Sequence, residues 1–247
     1  MIDINNKIFN FYDPSKIMES ELESLQNSLS EGIFTDSIYT ISEKYIPERE
    51  KTYLLNQFNN LVTNFNFEKS KIIKKEENNL SGVEVIFRDE LINYNQEMQE
   101  YCLVDSNFML LDVLDNIEII MSDNILNEFK NQNIIPIISH PERLTKNKEV
   151  SKFENLKNEG VLFQMSLGSL DGSFGESAKI NSINLLENDI FDFIASDTVN
   201  YECLDESYLE KILNDLSEII GHSKLDEIIY KNPLNIIDHK NSNNYQI

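Results

Sequence analysis

Several short segments of this chain end an apolar run in residues that can bind a cation or move a proton. Residues 134–143 read Ile-Ile-Pro-Ile-Ile-Ser-His-Pro-Glu-Arg, so His140, one of three histidines in the chain, follows a β-branched run. Gly82-Val83-Glu84 sets a carboxylate beside a glycine, Asp105 follows Tyr101-Cys102-Leu103-Val104, and Asp197 follows Phe193-Ile194-Ala195-Ser196. Taken singly, each has a plain structural use: His140 and Asp197 can serve turns, and Glu84 can lie on a solvated face. Together, Glu84, Asp105, His140 and Asp197 form a carboxylate–imidazole set suited to a divalent cation. Such a cation can activate water as a nucleophile. The set works only if these residues meet in space.

Strand ends can bring them together. The 134–139 run has no polar alternation, which fits a strand covered on both faces, as in a parallel sheet flanked by helices. In a parallel barrel or sheet, residues at the strand C-termini converge on one face. Further strands are expected at residues 2–4 with 8–9, 33–41, 83–87, 101–104, 161–165 and 190–195. Helical spacing is expected at residues 17–29 after Asp13-Pro14-Ser15, and at 46–65, 117–132, 150–158, 176–188 and 208–220. Gly32, Gly160 and Gly221 stand at helix ends, where a left-handed backbone stops a helix. Residues 69–79 are charged and polar and are expected as exposed strand or loop. Gly160, Gly168, Gly172 and Gly175 mark a flexible loop; no Gly-Lys-Ser/Thr follows, so it is not a phosphate-binding P-loop. Strands alternating with helices give an α/β architecture, and without a linker or repeat, residues 1–247 read as a single domain.

Composition excludes several classes. The chain has 247 residues, 40% of them hydrophobic, and a net charge of −22. That charge argues against nucleic acid or an anionic membrane as partner, since both select basic surfaces. No apolar run reaches the roughly 18 residues of a membrane span, and the opening residues do not read as a signal peptide. With only two cysteines, Cys102 and Cys203, the expectation is no disulfide framework and a reducing cytoplasm.

Residues 134–143, the loop from Gly168-Ser169-Leu170 to Phe174-Gly175, Phe193-Ile194-Ala195-Ser196-Asp197 and Asn232-Pro233-Leu234 carry a resemblance. The chain resembles bacterial capsule-operon tyrosine phosphatases of the PHP (polymerase and histidinol phosphatase) superfamily, from Met1 to about Ile237. The resemblance implies a distorted (β/α) TIM-like barrel with a cluster of divalent metals, manganese or similar, at the strand C-termini. It further implies a metal-activated water acting on phosphotyrosine, with an autophosphorylated tyrosine kinase of polysaccharide production as substrate and partner.

The departures fall on ligands. Where the family opens Asp-Ile-His-x-His, this chain reads Asp3-Ile4-Asn5-Asn6-Lys7, so Asn5 and Lys7 replace both histidines. Thr-Pro-His is replaced within Tyr39-Thr40-Ile41-Ser42, at Ile41 or Ser42, and Ser-Asp-x-His becomes Ser196-Asp197-Thr198-Val199. Glu84, His140 and Asp197 match the family's metal ligands, and Asp105 stands in for a glutamate. Arg143, which can bind phosphate bidentately, and His140 are the candidate catalytic residues. Lys7 could supply part of a metal's charge. Three readings follow: a homologue that keeps fold and phosphotyrosine partner with lost or reduced hydrolysis; a working hydrolase on one or two cations; and a structural or oligomerising protein, a homo-oligomer included. The loss of ligands from separate motifs with retention of the fold favours the first.

Overall fold

The computed structural model describes residues 1–7, 36–42, 51–73, 80–87, 98–115, 117–145, 149–197 and 206–238. Seven strands run β1 (Ile2–Asn6), β2 (Asp36–Ser42), β3 (Ser81–Ile86), β4 (Phe108–Asp112), β5 (Ile135–Ser139), β6 (Leu162–Ser166) and β7 (Phe193–Ala195). All neighbours are parallel and follow one another in chain order. The sheet curls until β1 and β7 meet. Asp197 donates its N–H to the Asn5 carbonyl (3.0 Å), and Ser196 donates its N–H to Asp3 Oδ1 (3.0 Å). This is a nearly closed (β/α) barrel.

The helices are α1 (Lys51–Ile73), α2 (Asp123–Asn131), α3 (Val150–Asn158), α4 (Leu167–Asp171), α5 (Glu176–Glu187), α6 (Glu206–Asp226) and α7 (Asn232–Asp238). Their apolar faces cover the outside of the sheet, where Val83, Val85, Met109, Ile138, Phe163, Met165 and Ile194 are buried. Ile38, Leu110, Ile137, Phe193 and Ala195 pack with Ile4 and Ile236 in a second cluster. In strands β2, β4, β5 and β7 these residues alternate with the outer set, as barrel strands require.

Local signals explain most boundaries. α3 stops as expected, with Gly160 at φ 92° and the Val161 N–H returning to the Leu156 carbonyl at 3.0 Å, a glycine C-terminal stop. Pro136 lies inside the sheet, where its missing N–H would ordinarily cost a ladder bond. Its neighbour Ile135 donates to Asn107 on the β4 side, and pairing with β6 begins only at Ile137. The proline therefore precedes the ladder that it would have broken.

Several expectations are corrected. Residues 101–104 form no strand; they lie in the 3-10 turns Met98–Tyr101 and Leu103–Asp105, and the strand is β4, further on. Residues 69–73 belong to α1, and the glycine-bearing segment after β6 is helical at Leu167–Asp171. Residues 117–132 divide into a 3-10 turn, Ile117–Ile119, and α2. α6 runs on to Asp226, with Gly221 (φ 78°) as a break within it. The helix expected at residues 17–29, with Gly32, lies outside the described residues, as do Thr198, Val199 and Cys203. Among the described residues no helix is long and apolar enough to cross a membrane.

Candidate functional site at the barrel mouth

The strand ends deliver a compact set of ionisable groups. Lys7 follows β1, Glu84 lies in β3, Asp112 ends β4, His140 follows β5, Arg143 closes the 3-10 turn Pro141–Arg143, and Asp197 follows β7. His140 (φ 39°) and Asp197 (φ 50°) both take the left-handed backbone region. For residues with a Cβ this costs of order 1–3 kcal/mol and concentrates at functional sites. In β1 the register slips between Asp3 and Asn6, so that three residues advance against two of β2. This bulge lets Ile4 join the apolar cluster while its neighbour Asn5 enters the polar layer.

The carboxylates are fully engaged. Lys7 Nζ lies 2.7 Å from Glu84 Oε2 and 2.5 Å from Asp197 Oδ1. Glu84 Oε1 accepts from Asn5 Nδ2 (3.3 Å) and lies 3.4 Å from His140 Nε2. Asp197 Oδ2 accepts from the Ser166 hydroxyl (2.9 Å) and from Arg143 Nη2. Arg143 also stacks on Phe174, with its guanidinium carbon 3.3 Å from the ring centroid. Behind this layer, Asn5 donates to Gln164 Oε1 (3.2 Å) and accepts from the Thr40 hydroxyl (2.6 Å).

Electrostatics follow from that geometry. Burial works against the Glu84 carboxylate, but Lys7 and His140 hold its pKa far below the usual range. Asp197 is likewise opposed by burial and lowered by Lys7, Arg143 and His140. Burial disfavours the charged forms of Lys7 and His140, yet the facing carboxylates raise both pKa values. Glu142, two residues after His140, behaves oppositely. It is wholly buried and its pKa is raised by desolvation, with Oε1 accepting from the Ser166 N–H (3.1 Å) and the Ser169 hydroxyl (2.6 Å). Among the described residues its Oε2 has no hydrogen-bond partner. Cys102 is buried and its thiol is pushed up to about 12 by desolvation, which leaves it inert as a nucleophile.

Glu84, His140, Asp197 and Arg143 thus come together, while the side chain of Asp105 lies outside what the structure describes. Its backbone belongs to the turn that leads into β4, at the opposite end of that strand from Asp112. The acid at the mouth is Asp112, whose Oδ2 lies 3.9 Å from His140 Nε2. Ligand atoms of Glu84, Asp112 and His140 all fall within 4.8 Å of one another. Phe108-Met109-Leu110-Leu111-Asp112 has the same apolar-run-then-acid pattern that marked the other strands, so the signal for Asp112 was present in the sequence. Ile41 packs in the outer core and contributes no ligand.

Comparison with known proteins places this barrel. A family profile described as capsular polysaccharide synthesis, CpsB/CapC, matches residues 1–238. CapC of Staphylococcus aureus, whose name carries tyrosine-protein phosphatase as a provisional assignment, is 29% identical over 206 residues, 80% of this chain and 76% of that protein. Tyrosine-protein phosphatase YwqE of Bacillus subtilis strain 168 is 29% identical over 125 residues, 49% of this chain and 48% of that protein. A solved structure from work on YwqE of Bacillus subtilis and CpsB of Streptococcus pneumoniae, described as metal-dependent tyrosine phosphatases, superposes with a TM-score of 0.74. It is 21% identical and the match covers 97% of this chain and 95% of that one. The phosphotriesterase of Mycobacterium tuberculosis matches at a TM-score of 0.51 and 9% identity over 97% and 93% of the two chains. At those identities the solved structures speak for the fold alone, and the fold is the PHP-type barrel. With the profile spanning nearly its whole length, the chain belongs to the CpsB/CapC family of capsular polysaccharide synthesis.

Proposed function

We propose that this chain is a capsule-type tyrosine-phosphatase homologue that keeps the barrel, as one domain over its length, and a phosphotyrosine-protein partner, with metal-dependent hydrolysis lost or much reduced. The observation that carries this reading is that both oxygens of Glu84 and both of Asp197 already face protein donors. A metal cluster needs deprotonated acceptor atoms turned toward the ions. Here an ammonium, an amide, a hydroxyl and a guanidinium hold those positions. The residues present do not fit a multinuclear cluster, so no catalytic step is assigned through one. What remains is recognition: Arg143, its side chain 24% exposed and its guanidinium backed by Phe174, is the residue to contact a phosphoryl oxygen. A bacterial tyrosine kinase carrying phosphotyrosine is the partner class. Binding without turnover would still influence polysaccharide production, by shielding the phosphorylated tail.

The close approach of Glu84, Asp112 and His140 favours a second reading, a hydrolase working on one divalent cation such as manganese. One assay separates the two. The protein is incubated with Mn²⁺ and a phosphotyrosine peptide, and phosphate release and peptide binding are both measured. The first reading expects no release above a His140→Ala background. It also expects a binding signal weakened about ten- to hundredfold in Arg143→Ala, the range for losing a charge-assisted bond. Release that disappears in His140→Ala establishes the second reading. Neither release nor binding would leave a structural or oligomerising role.

A further inference from the structure

Lys7 is the one cation among the described residues within ion-pair distance of both Glu84 and Asp197. The two carboxylates come from β3 and from the end of β7, and their side chains are 2% and 3% exposed. Carboxylates buried at close quarters do not both stay ionised without a cation between them. Asn5 and Ser166, which also donate to them, are neutral, and of the two carboxylates Arg143 pairs, among the described residues, with Asp197 and not with Glu84. The Lys7 ammonium therefore holds the position between two anionic oxygens that a small bound cation would hold, and it is tethered there by the chain itself. A protonated ammonium offers no lone pair, so it shares charge with the carboxylates without becoming a ligand.

Resting on the reading that metal-dependent hydrolysis is lost, we propose that Lys7 is the resident cation of this site, and that Lys7, not a shortage of carboxylates, keeps divalent metal out. Glu84, Asp112 and His140 keep ligand atoms within 4.8 Å of one another, and Lys7 is the one donor that Glu84 and Asp197 share. Removing the ammonium while leaving the carboxylates converts an internal ion pair into a site for an external divalent ion.

The test compares wild type with Lys7→Ala by equilibrium dialysis against Mn²⁺ and by thermal melting with and without excess Mn²⁺. Wild type is expected to retain no Mn²⁺ and to melt at an unchanged temperature. Lys7→Ala is expected to melt lower without metal, to recover with Mn²⁺, and to bind the ion at least a hundredfold more tightly than wild type. Adding Glu84→Gln and Asp197→Asn to that variant should abolish the recovery. If Lys7→Ala does not fold, Lys7→Gln, which still donates to one carboxylate, is measured in its place with the same expectation. A folded Lys7 variant that neither binds nor responds to Mn²⁺ overturns the inference and leaves the proposed function standing. Wild type that binds Mn²⁺ in a manner lost in Glu84→Gln also overturns it, and phosphotyrosine hydrolysis alongside that binding overturns the proposed function too.

Discussion

Two kinds of buried carboxylate meet at this barrel mouth, and their contributions to stability respond to pH with opposite sign. Glu84 and Asp197 are held below the ordinary carboxylate range by the cations facing them. Their contribution to stability is present above roughly pH 4, where an unfolded carboxylate is ionised, and is lost as pH falls through their lowered folded values. Acid unfolding followed by circular dichroism should therefore show a low-pH limb, and Lys7→Ala should move that limb to higher pH. The Glu142 pKa is raised by burial, and among the described residues its Oε2 has no hydrogen-bond partner. Its contribution is largest below the unfolded carboxylate value and declines as pH rises through the folded one. In Glu142→Gln that decline is absent. Urea denaturation at pH values stepped upward from about 4, the unfolded carboxylate value, should show wild type losing stability relative to the variant as pH increases.

At the scale of elements, position is set by close approach more than by propensity. A Cβ added at Gly82 in β3 would lie 2.4 Å from Leu103 Cδ2 and 3.2 Å from the Leu103 Cα. The glycine is there because the turn before β4 packs directly onto the β3 backbone. Gly82→Ala should cost about 1–3 kcal/mol, the usual range for overpacking, read from denaturant midpoints. Trimming the contact in Gly82→Ala/Leu103→Ala should cost less than the sum of the two single changes, as expected for residues in contact. The β1 bulge acts at the same scale. It turns Asn5 toward Glu84 and Gln164, and the lysine two residues on meets β3 and β7 at once.

For the whole molecule, closure of the barrel rests on a polar seam. The Asp3 carboxylate accepts from the Ser196 N–H and hydroxyl and from Asn6 Nδ2 (3.2 Å), tying the first strand to the segment after the last. Asp3→Ala leaves these buried donors unpaired and should cost about 1–3 kcal/mol. For a chain of this size that lowers the melting temperature by about 2–4 °C per kcal/mol. Because the seam adjoins Asp197, the same variant should also loosen the site.

The chain's periodicity and punctuation reveal the alternation of strands and helices, the stop at Gly160 and the strand ending in His140, because those depend on neighbours in sequence. Residues 101–104 looked like a strand by composition, yet they cover the barrel as turns, and the strand begins only at Phe108. Both segments carry an apolar run that ends in an acid, and the choice between them is made by pairing with β3 and β5. Matching Asp105 to a ligand position inherited this displacement, and Asp112 is the acid at the mouth. Sequence alone also marked Lys7 as standing where a histidine is usual. Only the tertiary structure decided that its ammonium lies between Glu84 and Asp197, since those residues are brought together by barrel closure across most of the chain's length.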